Sequence, residues 1–181
     1  MKISETNIKG CFIIQPKIFE DARGLFFESF RKNQLEEAIG NSLNFVQENQ
    51  SKSKKWVLRG LHFQSGKYAQ SKLVGVAYGE VLDVVVDIRP NSPTFGKYFK
   101  LKLSSINNTM LYIPRGMAHG FLTLQENTVF QYKCDNYYIK ESESGILFND
   151  LDLNIDWEHS SDEFIISEKD KQLPKFKSIL K

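Results

Sequence analysis

Lys72-Leu73-Val74-Gly75-Val76-Ala77-Tyr78-Gly79-Glu80-Val81-Leu82-Asp83-Val84-Val85-Val86-Asp87-Ile88 is the stretch whose reading decides the fold. Two runs of β-branched and apolar residues, 72–77 and 81–88, flank a glycine that breaks both, which is the signature of strand, turn, strand. Alternate residues of a strand point to opposite faces, so Val81, Asp83, Val85 and Asp87 share one face and Leu82, Val84 and Val86 the other. An acid between valines is out of place in a dry core and suits a barrel interior that carries a polar site. Lys72 falls in line with Val74 and Val76, and Phe130, Tyr132 and Cys134 share a face of another run. Parity by itself sets Lys72 and Tyr132 at a rim or on an outer face, because charged and phenolic groups rarely enter a core.

Outward from this pair, runs rich in β-branched and aromatic residues recur at 11–15, 24–30, 45–49, 56–63, 98–103, 110–113, 121–124 and 128–134. Turn residues separate them at 21–24, 90–93, 96, 107–108 and 114–116. About ten short, closely spaced strands predict a mainly β protein, a jelly-roll barrel or sandwich with a few short helices. One helix is expected over 33–39, capped by Asn33 with Glu36 and Glu37 in its first turn, and a shorter one over 167–172 capped by Ser167. After Asp135 the strands thin out, and the last third reads as a segment that packs back on the barrel. No linker, repeat or composition shift divides residues 1–181, which are taken as one domain.

The net charge of +2 announces neither a nucleic-acid nor a membrane partner, and the lysines at 52, 54 and 55 read as a solvated loop. Cys11 and Cys134 lie in strand-like runs without disulfide or zinc spacing, so both are expected as buried free thiols in a reducing compartment. The polar start has no signal-peptide core and no segment is long and apolar enough to span a bilayer, so a cytoplasmic location is expected.

Three histidines exist. His62 lies in Leu58-Arg59-Gly60-Leu61-His62-Phe63-Gln64, His119 in Pro114-Arg115-Gly116-Met117-Ala118-His119-Gly120-Phe121, and His159 in a polar stretch that suggests the surface. The first two resemble the paired histidine motifs of cupin barrels, but Gln64 stands where a metal-binding cupin has its second histidine, and 65–71 contains no acid. That set is a weak transition-metal site, so no metal or other cofactor is expected, and proton transfer by histidine remains.

The motifs taken in order closely resemble the dTDP-4-dehydrorhamnose 3,5-epimerases of dTDP-L-rhamnose biosynthesis. The resemblance rests on Asp21–Ser29, Phe45–Asn49, Val57–Gln64, Ala69–Leu73, Gly79–Gly96, Pro114–Phe121, Tyr132–Cys134, Tyr137-Tyr138, Trp157 and Ser167–Asp170, and covers about residues 11–174. It implies inversion at C3 and C5 of dTDP-4-dehydro-6-deoxy-D-glucose, the two carbons beside the C4 ketone. Such chemistry needs a base, an acid across the ring and a group that stabilises the enolate oxygen. By resemblance His62 is the base, Asp170 its partner, Tyr132 the acid and Lys72 the enolate stabiliser, while His119 pairs with Asp83 at the sugar. Arg23, Arg59 and Lys169 match cationic substrate contacts, Glu28, Gln47, Asn49 and Glu143 match polar ones, and Phe26 and Tyr138 resemble the aromatics beside the thymine. A homodimer with strands or an N-terminal segment crossing between subunits is also implied.

The plainer readings are a core tyrosine for Tyr132, a helix-start carboxylate for Asp170, core packing for Phe26 and Tyr138, and surface positions for Glu143 and Lys169. The rival functions are a relative that inverts C3 or C5 alone, which would share the His and Tyr, and a non-catalytic sugar-binding cupin. One spacing conflicts with regular geometry. Arg59 and His62 are three apart and would point to opposite faces, yet both are expected at the substrate, so a bulge or twist is predicted at Gly60.

Overall fold

The computed structural model describes residues 1–179. In chain order the elements are β1 (Lys2–Glu5), β2 (Phe12–Gln15), β3 (Ile18–Asp21), β4 (Gly24–Phe27), α1 (Lys32–Ile39), β5 (Gln47–Ser53), β6 (Val57–Gln64) and β7 (Lys72–Tyr78). They continue with β8 (Glu80–Asp87), β9 (Tyr98–Ser104), β10 (Met110–Ile113), β11 (Met117–Thr123), β12 (Thr128–Cys134), β13 (Glu143–Gly145), β14 (Ile165–Ile166) and α2 (Glu168–Lys171). One sheet runs β1-β2-β10-β7-β12-β5 and the other β13-β6-β11-β8-β9, with β14 parallel to β6 at Val57 and Leu58. The expected mainly β, jelly-roll architecture is the one observed.

The inner faces of the two sheets meet in one core. Val74, Leu111, Ile113 and Phe130 come from the first sheet, and Val81, Val85, Leu103 and Phe121 from the second. The other face of β8 presents Leu82, Val84 and Val86 to a second core formed by Ile146, Phe148, Leu153, Trp157 and Phe176. The C-terminal third does pack back on the barrel, and it does so by covering this outer face. β8 is therefore buried on both sides, which explains why its sequence is nearly continuous valine instead of an apolar–polar alternation.

Several boundaries differ from the sequence reading. The strand expected over 24–30 ends at Phe27, and it pairs with β3, which was not foreseen, across the Asp21–Gly24 turn. The strand expected over 45–49 is instead β5, whose sequence Gln-Glu-Asn-Gln-Ser-Lys-Ser has no apolar residue. Tertiary pairing to β12 along its whole length overrides weak propensity there, and it draws Lys52 out of the loop to which charge had assigned it. β11 begins at Met117, four residues before the expected start, because pairing with β8 extends through Met117 and Asp87. Helix α1 starts one residue early, with Arg31 at the N-cap and no side-chain cap, so Asn33 does not cap it and Glu36 and Glu37 lie beyond the first turn. Glu36 instead accepts the Leu43 amide at 2.7 Å, and the helix ends at Gly40 with φ +71°. Ser167 caps α2 as expected, its Oγ accepting the Asp170 amide at 3.1 Å. Cys11 and Cys134 are buried and free, and burial pushes their thiols up to about 12 and about 11. His159 is exposed, its ring 4.5 Å from that of Trp56.

Candidate active site

The antiparallel pair β6–β11 builds one wall of the site. His62 faces His119 across the ladder and Arg59 faces Phe121, so Gly60 and Leu61 together oppose the single residue Gly120. This is the predicted bulge. Gly60 adopts φ +120°, and a Cβ there would lie 2.5 Å from Gly120 Cα and 2.7 Å from the His119 carbonyl oxygen. Only glycine fits. The extra residue shifts parity by one, and Arg59 and His62 accordingly line the same cavity.

That cavity has a volume of about 590 Å3, within the roughly 300–1,000 Å3 usual for small-ligand sites. The second sheet contributes His62, His119 and Phe121 to it, the first sheet contributes Lys72, Phe130 and Tyr132, and Lys169 and Asp170 reach it from α2. A smaller adjoining cavity of about 220 Å3 shares His62, Lys72 and Tyr132 and adds Gln47, Asn49, Tyr138 and Glu143.

His62 Nε2 lies 2.8 Å from Asp170 Oδ1, and Asp170 Oδ2 accepts the Gly60 amide at 3.3 Å. Burial alone would raise the Asp170 carboxyl, but the His62 bond and charge, helped by the Gly60 and Ser167 contacts, hold it below the usual carboxylate range. An ionised Asp170 fixes the imidazole with its proton on Nε2 and leaves the Nδ1 lone pair free to act as a base. His119 Nε2 is likewise 2.8 Å from Asp83 Oδ2. Asp83 is fully buried, and its Oδ1 has no hydrogen-bond partner among the described residues.

Lys72 and Tyr132 point into the cavity, contrary to the rim or outer placement that parity suggested. Their same-face neighbours Val74 and Phe130 belong to the inner core, so the strands leave no other direction. The strong tendency of charged groups to stay out of cores misled the reading, and the open cavity is what relieves it. The Lys72 ammonium stands 5.7 Å from the Tyr132 ring centroid. Burial pushes Lys72 down from the ordinary lysine value and pushes the Tyr132 phenol up, so Tyr132 keeps its proton and can donate it.

At the rim, Glu143 accepts hydrogen bonds from the Tyr138 hydroxyl at 2.8 Å and from Lys169. Arg59 donates to Ser53 Oγ through Nε and Nη2 at 3.3 and 3.2 Å. Gln47 Nε2 donates to Asn49 Oδ1 at 3.0 Å, and its Oε1 accepts the Tyr138 amide at 2.9 Å. Four expected site residues line neither cavity: Asp83 is buried behind His119, and the other three lie elsewhere. Arg23, Phe26 and Glu28 lie on or just after the β3–β4 hairpin. Arg23 pairs with Asp21, Phe26 is 67% exposed, and Glu28 pairs with Arg31 at 3.5 Å.

Two groups of lining residues escaped the sequence reading. Phe121 and Phe130 stack 4.0 Å apart as a flat wall beside His119. Parity with Tyr132 was the available signal for Phe130. Ser51 continues Gln47 and Asn49 along the inward row of β5, which ends at the buried Ser53 behind Arg59, visible in the sequence only as alternation within a segment that does not look like a strand. Gln64, at the position of the missing metal histidine, donates to the Tyr68 and Tyr137 carbonyls and accepts the Ile139 amide. It anchors the loop that carries Tyr138. Among the described residues no group of three or more His, Cys, Asp or Glu side chains is arranged to hold a metal ion.

A family model described as dTDP-4-dehydrorhamnose 3,5-epimerase matches residues 5–178. The dTDP-4-dehydrorhamnose 3,5-epimerase of Escherichia coli K12 is 50% identical over 173 residues, which is 96% of this chain and 93% of that protein. The crystal structure of the enzyme of the same name from Elizabethkingia anophelis NUHP1 superposes with a TM-score of 0.95 at 52% identity, covering 98% of this chain and 97% of that one. A dTDP-6-deoxy-D-glucose-3,5-epimerase from Legionella pneumophila Philadelphia 1, solved with dTDP-4-keto-L-rhamnose, gives a TM-score of 0.94 at 46% identity, covering 98% of this chain and 94% of that one.

Proposed function

This chain belongs to the dTDP-4-dehydrorhamnose 3,5-epimerase family, and from that premise we propose that it converts dTDP-4-dehydro-6-deoxy-D-glucose to dTDP-4-dehydro-L-rhamnose by moving protons at C3 and C5. The observation that carries this reading is the His62–Asp170 pair on one sheet facing Lys72 and Tyr132 on the other across a single cavity.

His62 Nδ1 takes the proton from the carbon beside the C4 ketone. The C–H electron pair forms the enolate double bond, and negative charge collects on the C4 oxygen beside the Lys72 ammonium. Tyr132 then delivers a proton to the opposite face of the ring, inverting that carbon, and solvent takes the extra proton from His62 and returns one to Tyr132. The same steps serve the second carbon. Only protons move, so no redox cofactor is needed and the rate is expected to survive treatment with a chelator. Arg59 and Lys169 suit the diphosphate, because guanidinium and ammonium groups pair well with phosphate oxygens. Gln47, Asn49, Glu143 and Tyr138 suit the nucleoside side, and His119, held by Asp83, suits a sugar hydroxyl.

The exposed Arg23, Phe26 and Glu28 support a homodimer in which the β3–β4 hairpin of one subunit completes the cavity of the other. Solution scattering that returns only monomer would count against it. The substrate is a nucleotide sugar, which fits a cytoplasmic location, and among the described residues no helix is long and apolar enough to cross a membrane.

The test is incubation with dTDP-4-dehydro-6-deoxy-D-glucose in deuterated water. Deuterium at both C3 and C5 of the product is expected. Label at one carbon alone would replace this reading with that of a single-carbon epimerase.

A further inference from the structure

We propose that Lys169 and Glu143 form a positioning pair that sets the rotation of α2 and through it the aim of Asp170 at His62. This rests on the reading of His62 and Asp170 as the base and its partner. The helix is a single four-residue turn, too short to hold itself in water, so its orientation depends on its ties to the barrel. β14 fixes the chain just before the helix to β6, and two consecutive residues make the side-chain ion pairs that set its rotation. Asp170 reaches His62 on β6, and Lys169 reaches Glu143 on β13.

The two strands are hydrogen-bonded neighbours, with Gly145 opposite His62 and Glu143 opposite Gln64. The ties therefore end on adjacent strands only two ladder positions apart, and their polarities are opposite. Helix acid meets sheet base in one, and helix base meets sheet acid in the other. A turn of α2 by one residue would offer either Lys171 to His62 and Asp170 to Glu143, or Lys169 to His62 and Glu168 to Glu143, setting cation against imidazolium and acid against acid in both cases. Glu143 is suited to the task because its side chain is only 16% exposed and is held from its other flank by the Tyr138 hydroxyl. Burial raises its carboxyl, but the Lys169 and Tyr138 bonds outweigh this and keep it below the usual range, so it stays ionised.

The titratable and charged groups around His62 are Asp170 and Lys169 from α2, Glu143 from β13, Tyr138 from the loop before it, Lys72 from β7, Tyr132 from β12, His119 from β11 and Arg59 from its own strand. This makes Lys169→Met diagnostic. Removing a nearby cation should by charge alone let His62 take up its proton at a higher pH. Losing the tie should loosen Asp170 and move that uptake to a lower pH.

NMR titration of the His62 ring in Lys169→Met, read beside steady-state kinetics, separates the two. The expected result is a downward shift of roughly half a pH unit or more, together with a fall in kcat of about tenfold and a smaller change in KM. Lys169→Arg should restore both. An upward shift, or a rise in KM with kcat unchanged, would make Lys169 a substrate contact alone and overturn the proposal. The ring titration needs no turnover, so it judges this pair even if His62→Ala were to keep activity and the assignment of the base fell.

Discussion

Two histidines that face each other across the β6–β11 ladder line one cavity, each paired with an aspartate at 2.8 Å. Their surroundings differ. The His62 side chain is 27% exposed, and both oxygens of Asp170 have partners, one the imidazole and the other the Gly60 amide. The His119 side chain is 7% exposed, its ring is stacked 6.0 Å from Phe130, and one oxygen of the fully buried Asp83 has no partner among the described residues. A base must gain and lose charge in every cycle, and that is cheapest where water and a fully satisfied carboxylate stabilise the imidazolium. A histidine sealed against aromatic rings is better suited to hold one hydrogen-bonding pose. The same pair of residue types is thus suited to different work, and the difference lies in what surrounds each pair.

The comparison can be broken at its strongest point by removing each imidazole. His62→Ala is expected to lower kcat by about 10³-fold or more, the scale on which a lost base within a catalytic unit is felt. His119→Ala is expected to cost about tenfold, mostly in KM. Equal losses in steady-state assays would erase the distinction.

The carboxylates sharpen it next. Asp170→Asn should lower kcat by about 10²-fold, because an amide neither fixes the imidazole with its proton on Nε2 nor stabilises the imidazolium. Asp83→Asn should cost no more than about tenfold in kcat/KM, and the melting temperature should hold or rise, since it removes a buried charge with one unpartnered oxygen. A drop of several degrees in the thermal melt would show that Asp83 is better satisfied than its geometry indicates.

The alkaline limb tests what lies opposite both pairs. The protonated form of Lys72 is the one that stabilises an enolate oxygen, and burial pushes its proton loss below the ordinary lysine range. The rate should therefore fall as pH rises through this lowered value. Lys72→Met should be slow at every pH and lack that limb. An unaltered alkaline limb in Lys72→Met would assign it to another group.

The smallest effect on catalysis is expected at a third buried aspartate, which serves as a control. Asp87 accepts two bonds from the Arg89 side chain and one each from Ser92 and Thr94, and its value is lowered to about 2 although burial opposes this. Lying below the unfolded value of 3.8, the folded value means a stabilisation of about 2 kcal/mol. It is fully present above about pH 4 and lost as pH falls toward about 2. Asp87→Asn should lower stability by that order at neutral pH in denaturant titrations, lose the difference in acid, and leave kcat near its original value.

Much of the fold was legible because its signals are local. The valine run of β8, the glycine that opens its hairpin and the Ser167 cap depend on residues close in sequence. The Gly60 bulge was legible for another reason: two residues required at one substrate could not share a face at a spacing of three. The polar strand β5 was not legible, because pairing with β12 makes it a strand and its own residues do not. The inward aim of Lys72 was missed because the cavity that receives it forms only when the two sheets meet.

The sequence by itself determined the alternation that places acid, base and aromatic groups on inner faces, and the order of motifs that marks the family. Only the tertiary structure decided which histidine meets which aspartate. Residues 62 and 170 are joined through a bond spanning 108 positions, and residues 119 and 83 through one spanning 36. Contacts of that range are fixed by sheet pairing and by the covering C-terminal segment, and no local pattern of residues encodes the distance between them.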